Sequence, residues 1–308
     1  MKRGLFLHLI ACVACVCAAS STRAATPEAI ETAIARGRDY LYDLQKDGHW
    51  ERVAKSDFAN NNDHDEGQWG GRTAMAVYTL LSIGESPASP KLAPAIAWLK
   101  ANQSFGVYAL SFRMQVWLKL PQTDEVRSLM RRDADLMMRG LRMEPGRGQG
   151  FFDYVVSDKR ASGAYSLSRA QYGVLGLWAA ARSGIEVPTR LWTMMETAWI
   201  AAQDAKTGGW TYRAFAEETQ HPLSTGMTAA GVVSLIIVDD FTSNDSGACR
   251  GNTPRKPALD KGLAWIAANH TRDVAPAARD VPRAYPYATL YAVERVALAG
   301  GFRNFGDL

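Results

Sequence analysis

The sequence predicts an all-α protein built as a double ring of helix pairs, about five pairs long. Three observations carry that expectation. A short phrase recurs: "YLYDLQKDGHW" at residues 40–50, "WLKANQSFGVY" at 98–108 and "WIAAQDAKTGGWTYR" at 199–213, each running from glutamine through glycine to an aromatic. A fainter copy, "MEPGRGQGFF", keeps Gly150 and Phe152 without the glutamine. Two kinds of helical pattern alternate between the copies, and runs rich in β-formers are nearly absent. Self-similarity at a long period signals a repeat architecture.

The elements follow in order. The aromatics Trp50, Tyr108, Phe152 and Trp210 stand 58, 44 and 58 residues apart, and each interval holds two helices. The first of each pair is amphipathic: "PEAIETAIARGRDYLYDLQ", "PKLAPAIAWLKANQ", "DEVRSLMRRDADLMMRGL" and "PTRLWTMMETAWIAAQ". Apolar residues recur there every three or four positions, with charges on the other side. The second is apolar or small nearly all round: "RTAMAVYTLLSIG", "ALSFRMQVWLKL", "SLSRAQYGVLGLWAAARSG" and "STGMTAAGVVSLIIV". A helix with no polar face belongs inside. Gly84 and Gly184 suit C-terminal caps, and Pro90 and Pro188 stand where the next first helix starts. A fifth pair, "PALDKGLAWIAANH" and "YPYATLYAVERVALAGG", completes the series. Alternating half-buried and fully buried helices imply two concentric layers, with 72–84, 166–183 and 225–238 inside. A linear solenoid would expose its second helices and would not make them so uniformly apolar.

The N-terminus is read apart. Lys2 and Arg3 precede "GLFLHLIACVACVCAA", and "SSTRA" offers cleavage after Ala24. That is the layout of a secretory signal peptide over residues 1–24, leaving a domain at 25–308. The apolar run is short for a membrane span, and no span is expected after cleavage. "LIAC" ending at Cys12 imitates a lipoprotein site, but the run before it is shorter than such sites use. The expected location is therefore periplasmic or secreted. Cys12, Cys15 and Cys17 lie in the leader, so only Cys249 remains and no internal disulfide can form. Of 35 Lys and Arg, three (Lys2, Arg3, Arg23) also lie there, leaving 32 against 31 acidic residues. Nucleic-acid binding needs a clustered basic face. The only candidate, "RSLMRRDADLMMRGLRM", interleaves its arginines with apolar and acidic positions, so nucleic acid is not an expected partner.

At this point the chain resembles the α/α toroid of squalene cyclases and protein prenyltransferases, in which the phrase is the QW motif. The resemblance covers essentially all of the chain after the leader. It implies that Gln45 with Trp50 and Gln203 with Trp210 act as clasps between repeats, with Gln103 and Tyr108 a degenerate copy. An amide can satisfy orphan groups at a helix end while lying on an aromatic face. Such toroids usually have six pairs, so five should leave an apolar seam for the terminal segments, a protein partner or a second copy.

The chemistry that the resemblance implies is not spelled out in the residues. Cyclases protonate an alkene with an Asp-x-Asp-Asp acid, and this chain has none. "NDHDEG", with Asp63, Asp65 and Glu66, comes nearest and supplies the weak catalytic candidates. A loop carboxylate keeps a near-normal pKa and cannot protonate an alkene, while it suits the N-terminus of a helix. Prenyltransferases hold zinc with Asp, Cys and His. Here Cys249 and Asp245 share a Gly/Ser/Asn-rich segment, and His49, His64, His221 and His270 are scattered, so neither a metal nor another cofactor is expected. The Gly-Cys-Gly-Glu-Gln thioester segment of complement-like toroids is missing too. Toroids that cleave polysaccharides use Asp/Glu pairs or an Arg/His/Tyr set in the central cleft. Asp153 with Tyr154, Tyr212 with Arg213, and Glu217 with Glu218 would lie on loops leading to second helices. Trp69, Tyr154, Tyr212 and Arg213 are the candidate substrate-binding residues, although aromatics in such places more often serve as core and clasp. The expected role is binding or scaffolding; the alternative is an enzyme acting on an isoprenoid or a glycan.

Overall fold

A computed structural model describes residues 25–55, 67–156, 165–213, 222–243, 256–270 and 285–303. It is all-helical, with no strand among the described residues and three isolated bridges, two within a link and one, Gly106 with Val155, between links. The described residues form ten helices in order: α1 (Pro27–Asp43), α2 (Gly71–Ser82), α3 (Ala93–Ala101), α4 (Val107–Lys119), α5 (Asp124–Gly140), α6 (Leu167–Arg182), α7 (Thr189–Ala201), α8 (Thr225–Thr242), α9 (Pro257–Asn269) and α10 (Pro286–Gly300). The ten helical patterns of the sequence are therefore all present, within a few residues of their expected limits.

The chain divides into two compact units, residues 1–40 and 41–308. The first contains most of α1. Pro27 opens that helix, and the Thr26 hydroxyl accepts from the Ala29 N–H at 3.2 Å, satisfying one orphan donor.

In the second unit the two kinds of helix differ in burial as their sequences require. Of α5 only one stripe is buried, including Val126, Met130, Ala134 and Met137, and of α7 Leu191, Trp192, Met195, Ala198 and Trp199. In contrast α4 is buried continuously from Ala109 to Trp117, and α8 from Met227 to Val238. By length and composition α8 could cross a membrane, but it is mostly buried against protein, as an apolar core helix would be. The even-numbered helices pack one on the next, α2 on α4, α4 on α6, α6 on α8 and α8 on α10. The odd-numbered ones lean on them: α3 on α2, α5 on α4 and α6, α7 and α9 on α8. The Arg295 guanidinium of α10 donates to the Tyr78 hydroxyl of α2 at 3.1 Å, linking the last even helix to the first.

Gly84 and Gly184 close α2 and α6 in the left-handed region, at φ 92° and 85°. Glu85 N–H reaches back to the Leu80 carbonyl and Ile185 N–H to that of Ala180, so both ends carry the same six-to-one bond. One polar contact runs through the packing of α4 on α5. Arg113 and Asp133, both fully buried, stand 2.8 Å apart, and the Trp117 indole donates to the same carboxylate at 2.7 Å. Burial pushes the Arg113 guanidinium below its ordinary pKa while Asp133 opposes the shift. Two charges left in the interior need such close pairing.

Candidate functional site

The recurrent phrase has a definite job in two of its copies. The Trp50 indole donates to the Leu41 carbonyl at 2.7 Å, and the Trp210 indole to that of Trp199 at 2.9 Å. Each tryptophan thus returns to the helix that precedes it. Their backbone N–H groups donate to a threonine hydroxyl of the following helix, Thr73 at 3.1 Å and Thr228 at 3.2 Å. The glutamines reach forward. Gln45 donates to the Lys91 carbonyl just before α3, and Gln203 to those of Gly208 and Ala258, the latter in α9. Gly48 and Gly208 take positive φ where the chain presses on Pro94 and Lys261, leaving no room for a Cβ at Gly208. Gly150, at φ 81°, presses on α7 in the same manner. The copy at Gln103 departs: its amide donates to the adjacent Ser104 carbonyl rather than to the next odd-numbered helix, and Tyr108 already lies within α4.

Beside these clasps is a cluster of hydroxyls. Tyr154 and Tyr212 stand two residues beyond Phe152 and Trp210, so they occupy matching places in successive links. Their hydroxyls are 3.3 Å apart. Behind them the first turn of α6 presents Ser166, Ser168 and Arg169. Ser168 Oγ lies 3.0 Å from Ser166 Oγ and 2.9 Å from the Tyr108 hydroxyl. The Arg169 guanidinium is buried against the Tyr154 ring. Backbone bonds hold the parts in place. Leu167 N–H donates to the Tyr212 carbonyl at 3.2 Å, and Val107 N–H to that of Tyr154 at 2.9 Å. Gln68 joins the set from before α2: its amide donates to the Tyr154 carbonyl at 2.8 Å and accepts from Tyr108 N–H at 3.0 Å. That carbonyl caps an orphan donor at the start of α4.

The electrostatics differ between the two tyrosines. Burial, and the hydrogen bond with Tyr212, push Tyr154 above the ordinary phenol range. Burial also acts to raise Tyr212, but hydrogen bonds with Tyr154, Ser168 and Ser166, and the charge of Arg169, outweigh it and lower the group. Either hydroxyl can donate across the 3.3 Å contact. Tyr108, deeper in the cluster, is raised by burial against the opposing bond from Ser168.

The remaining candidates fall as follows. Trp69 is half-buried, its indole donating to the Val53 carbonyl at 3.2 Å and its ring 4.9 Å from that of Trp98. Lys55 lies over it, 5.3 Å from the ring centre. Arg213 is exposed, and its carbonyl accepts from the Thr211 hydroxyl. Asp63, Asp65, Glu66, His64, Glu217, Glu218, His221, Asp245 and Cys249 lie outside the described residues, as does the leader. Among the described residues no group of three or more His, Cys, Asp or Glu side chains could hold a metal ion. Ser166, Ser168, Arg169 and Gln68 were not singled out from the sequence. The signal for the first three is "SLSRAQY", a polar first turn on a helix otherwise apolar all round.

A third feature lies among the even-numbered helices. Tyr78 of α2, Phe112 of α4, Tyr172 of α6 and Tyr291 of α10 meet ring to ring. Phe112 is 5.9 Å from Tyr78, 5.4 Å from Tyr172 and 6.1 Å from Tyr291, and Tyr172 and Tyr291 stack at 6.4 Å. Four helices thus contribute one aromatic cluster, with Gln115 buried beside it. No family model and no curated protein matches the chain.

Proposed function

We propose that this chain is an exported α/α toroid of the squalene cyclase and prenyltransferase type that binds or scaffolds a partner and does not cyclise polyprenyl chains. The observation that carries this reading is the aromatic cluster of Tyr78, Phe112, Tyr172 and Tyr291. A cyclising enzyme folds a long apolar substrate inside a cavity of several hundred Å³. In such a toroid, side chains from four of the five even-numbered helices would occupy the centre where the cavity opens. The toroid itself is supported by the matched clasps at Trp50 and Trp210 and by the Arg295–Tyr78 bond between the last and first even helices.

The partner's place is the outer face of α10. Tyr287, Leu290 and Leu298 are 75%, 51% and 64% exposed there, where the sequence led to the expectation of an uncovered seam. Monomers seldom leave a large apolar patch bare. The test has two arms: incubation of the protein with polyprenyl substrates, and its mass in solution beside a Leu290→Glu, Leu298→Glu variant. No cyclised product, and association that the double variant abolishes, are expected. Cyclised product, or a parent protein that is strictly monomeric and captures no partner, would overturn the reading. The hydroxyl cluster favours a second reading, in which the ligand is a glycan.

A further inference from the structure

Three odd-numbered helices carry the same packing face in the same register. Eight and four residues before Gln45, Gln103 and His270 stand Gly37 and Leu41 in α1, Ala95 and Leu99 in α3, and Gly262 and Ile266 in α9. Residues four apart lie on one side of a helix. In α3 and α9 that side is buried. The small residue of each pair sets how closely the backbones approach, since a Cβ on Gly262 would stand 2.6 Å from Val232 of α8. In α1 no residue is buried. Ile34, one turn before Gly37, is 38% exposed, the adjacent Tyr40 is 63% exposed, and a Cβ on Gly37 would meet nothing within 4 Å. This helix carries the packing face of an odd-numbered element and leaves it bare.

The opposite lack is found in α10. It packs on α8, buries Thr289, Ala292 and Val296, and turns Tyr287, Leu290 and Leu298 outward. The helices α4, α6 and α8 receive odd-numbered ones, α5 on the first two and α7 and α9 on the third. None of those three shows an exposed large apolar side chain. The charges agree with the shapes. Glu294 is exposed midway along the α10 face, one turn from both Leu290 and Leu298, and Arg36 and Arg38 adjoin Gly37 midway along α1. A carboxylate within an apolar face favours a partner that brings a cation. Both faces are exposed in the single chain, and each is what the other lacks, so a second copy supplies both.

We infer that two copies of this chain pair about a two-fold axis, each laying the Ile34, Gly37 and Leu41 stripe of its α1 on the Leu290 and Leu298 face of the other's α10. The exchange is reciprocal, so it closes at two copies. With both faces counted, each copy brings on the order of several hundred Å² of apolar surface, against roughly 800 Å² per partner in a stable interface. The inference rests on the binding reading above and names its partner.

Sedimentation of the purified protein over a range of concentrations tests this. The parent should be a dimer, and Gly37→Leu should weaken it at least about tenfold, the scale of overfilling one packed site. The new side chain meets open space in the single chain, so the unfolding midpoint should stay near the parent's. Ile34→Glu should give monomer, as should the Leu290→Glu, Leu298→Glu variant. Mixing these two variants leaves one intact pairing of α1 with α10, so dimer should reappear in the mixture alone. An α10 patch that paired with itself would give no such rescue. No mixed dimer, or a dimer that Gly37→Leu and Ile34→Glu both leave intact, would overturn the exchange and leave the binding reading standing. A strictly monomeric parent would overturn it too, and the binding reading falls with it only when no other partner is captured.

Discussion

Trp210 shows how one side chain can fasten several elements. It is fully buried, its indole is bonded to α7 and its N–H to α8, and its ring presses on Gly231 and Gly262. A Cβ on Gly231 would lie 2.5 Å from that ring, so glycine there is a packing requirement. Trp210→Ala should lower stability by about 3–5 kcal/mol in a denaturant titration, the range for deleting a buried large aromatic. An unchanged midpoint would mean that the ring contributes no packing. This role was legible in the sequence because Gln203, Gly208 and Trp210 repeat the order of Gln45, Gly48 and Trp50. The pairing of Tyr154 with Tyr212 was legible only in part. Their equal offsets from Phe152 and Trp210 place them alike, but nothing local says that hydroxyls on neighbouring links will meet. Arg169 was harder still, since a charge on an apolar helix makes sense only once the ring above it is known.

Between elements, the clasp depends on how far the aromatic stands from the helix that follows. Trp50 and Trp210 precede α2 and α8 by a long link, so each is free to turn back onto its own preceding helix. Tyr108 has no such link, because α4 starts at Val107. It becomes part of the helix, and Gln103 is left with a local bond. Glutamine, glycine and aromatic alone therefore do not define a clasp; the start of the next helix decides it, and that boundary is among the features a sequence specifies least sharply. The threonines are the other half of the device. Thr228→Val keeps the shape but removes the acceptor for the buried Trp210 N–H. It should cost about 1–3 kcal/mol, the penalty for an unpaired buried donor. Thr79→Val on α2 is the control: this exposed hydroxyl bonds only its own helix, and the change should stay within about 0.5 kcal/mol. Equal losses at the two positions in urea titrations would contradict the assignment.

At the scale of the unit formed by residues 41–308, stability is tied to tyrosines kept neutral in the interior. Tyr108, Tyr172 and Tyr291 are each pushed up chiefly by burial. Tyr172 is raised further by its tyrosine neighbours, and Arg295 only partly offsets the shift of Tyr291. An unfolded tyrosine titrates near about pH 10. Above that pH the unfolded chain releases protons that the folded one retains, so the folded state binds more protons and stability falls as pH rises. Their contribution is complete below about pH 10 and drains away above it, at up to about 4 kcal/mol per pH unit if all three act together. Tyr212 works in the opposite direction, since its lowered pKa adds stability as pH rises toward the unfolded value. One group cannot balance three. The protein should therefore unfold cooperatively in alkali, with the tyrosinate absorbance of these three appearing together with the loss of helical circular dichroism. Tyr172→Phe removes one ionisation while keeping the ring contacts with Phe112 and Tyr291, so the parent should show the steeper fall in stability with pH. If the tyrosinate signal that Tyr172→Phe removes appears in the parent while its helicity is still intact, that phenol reaches solvent in the folded chain. The closed packing of the aromatic cluster, and with it the argument against a polyprenyl cavity, would then be lost together.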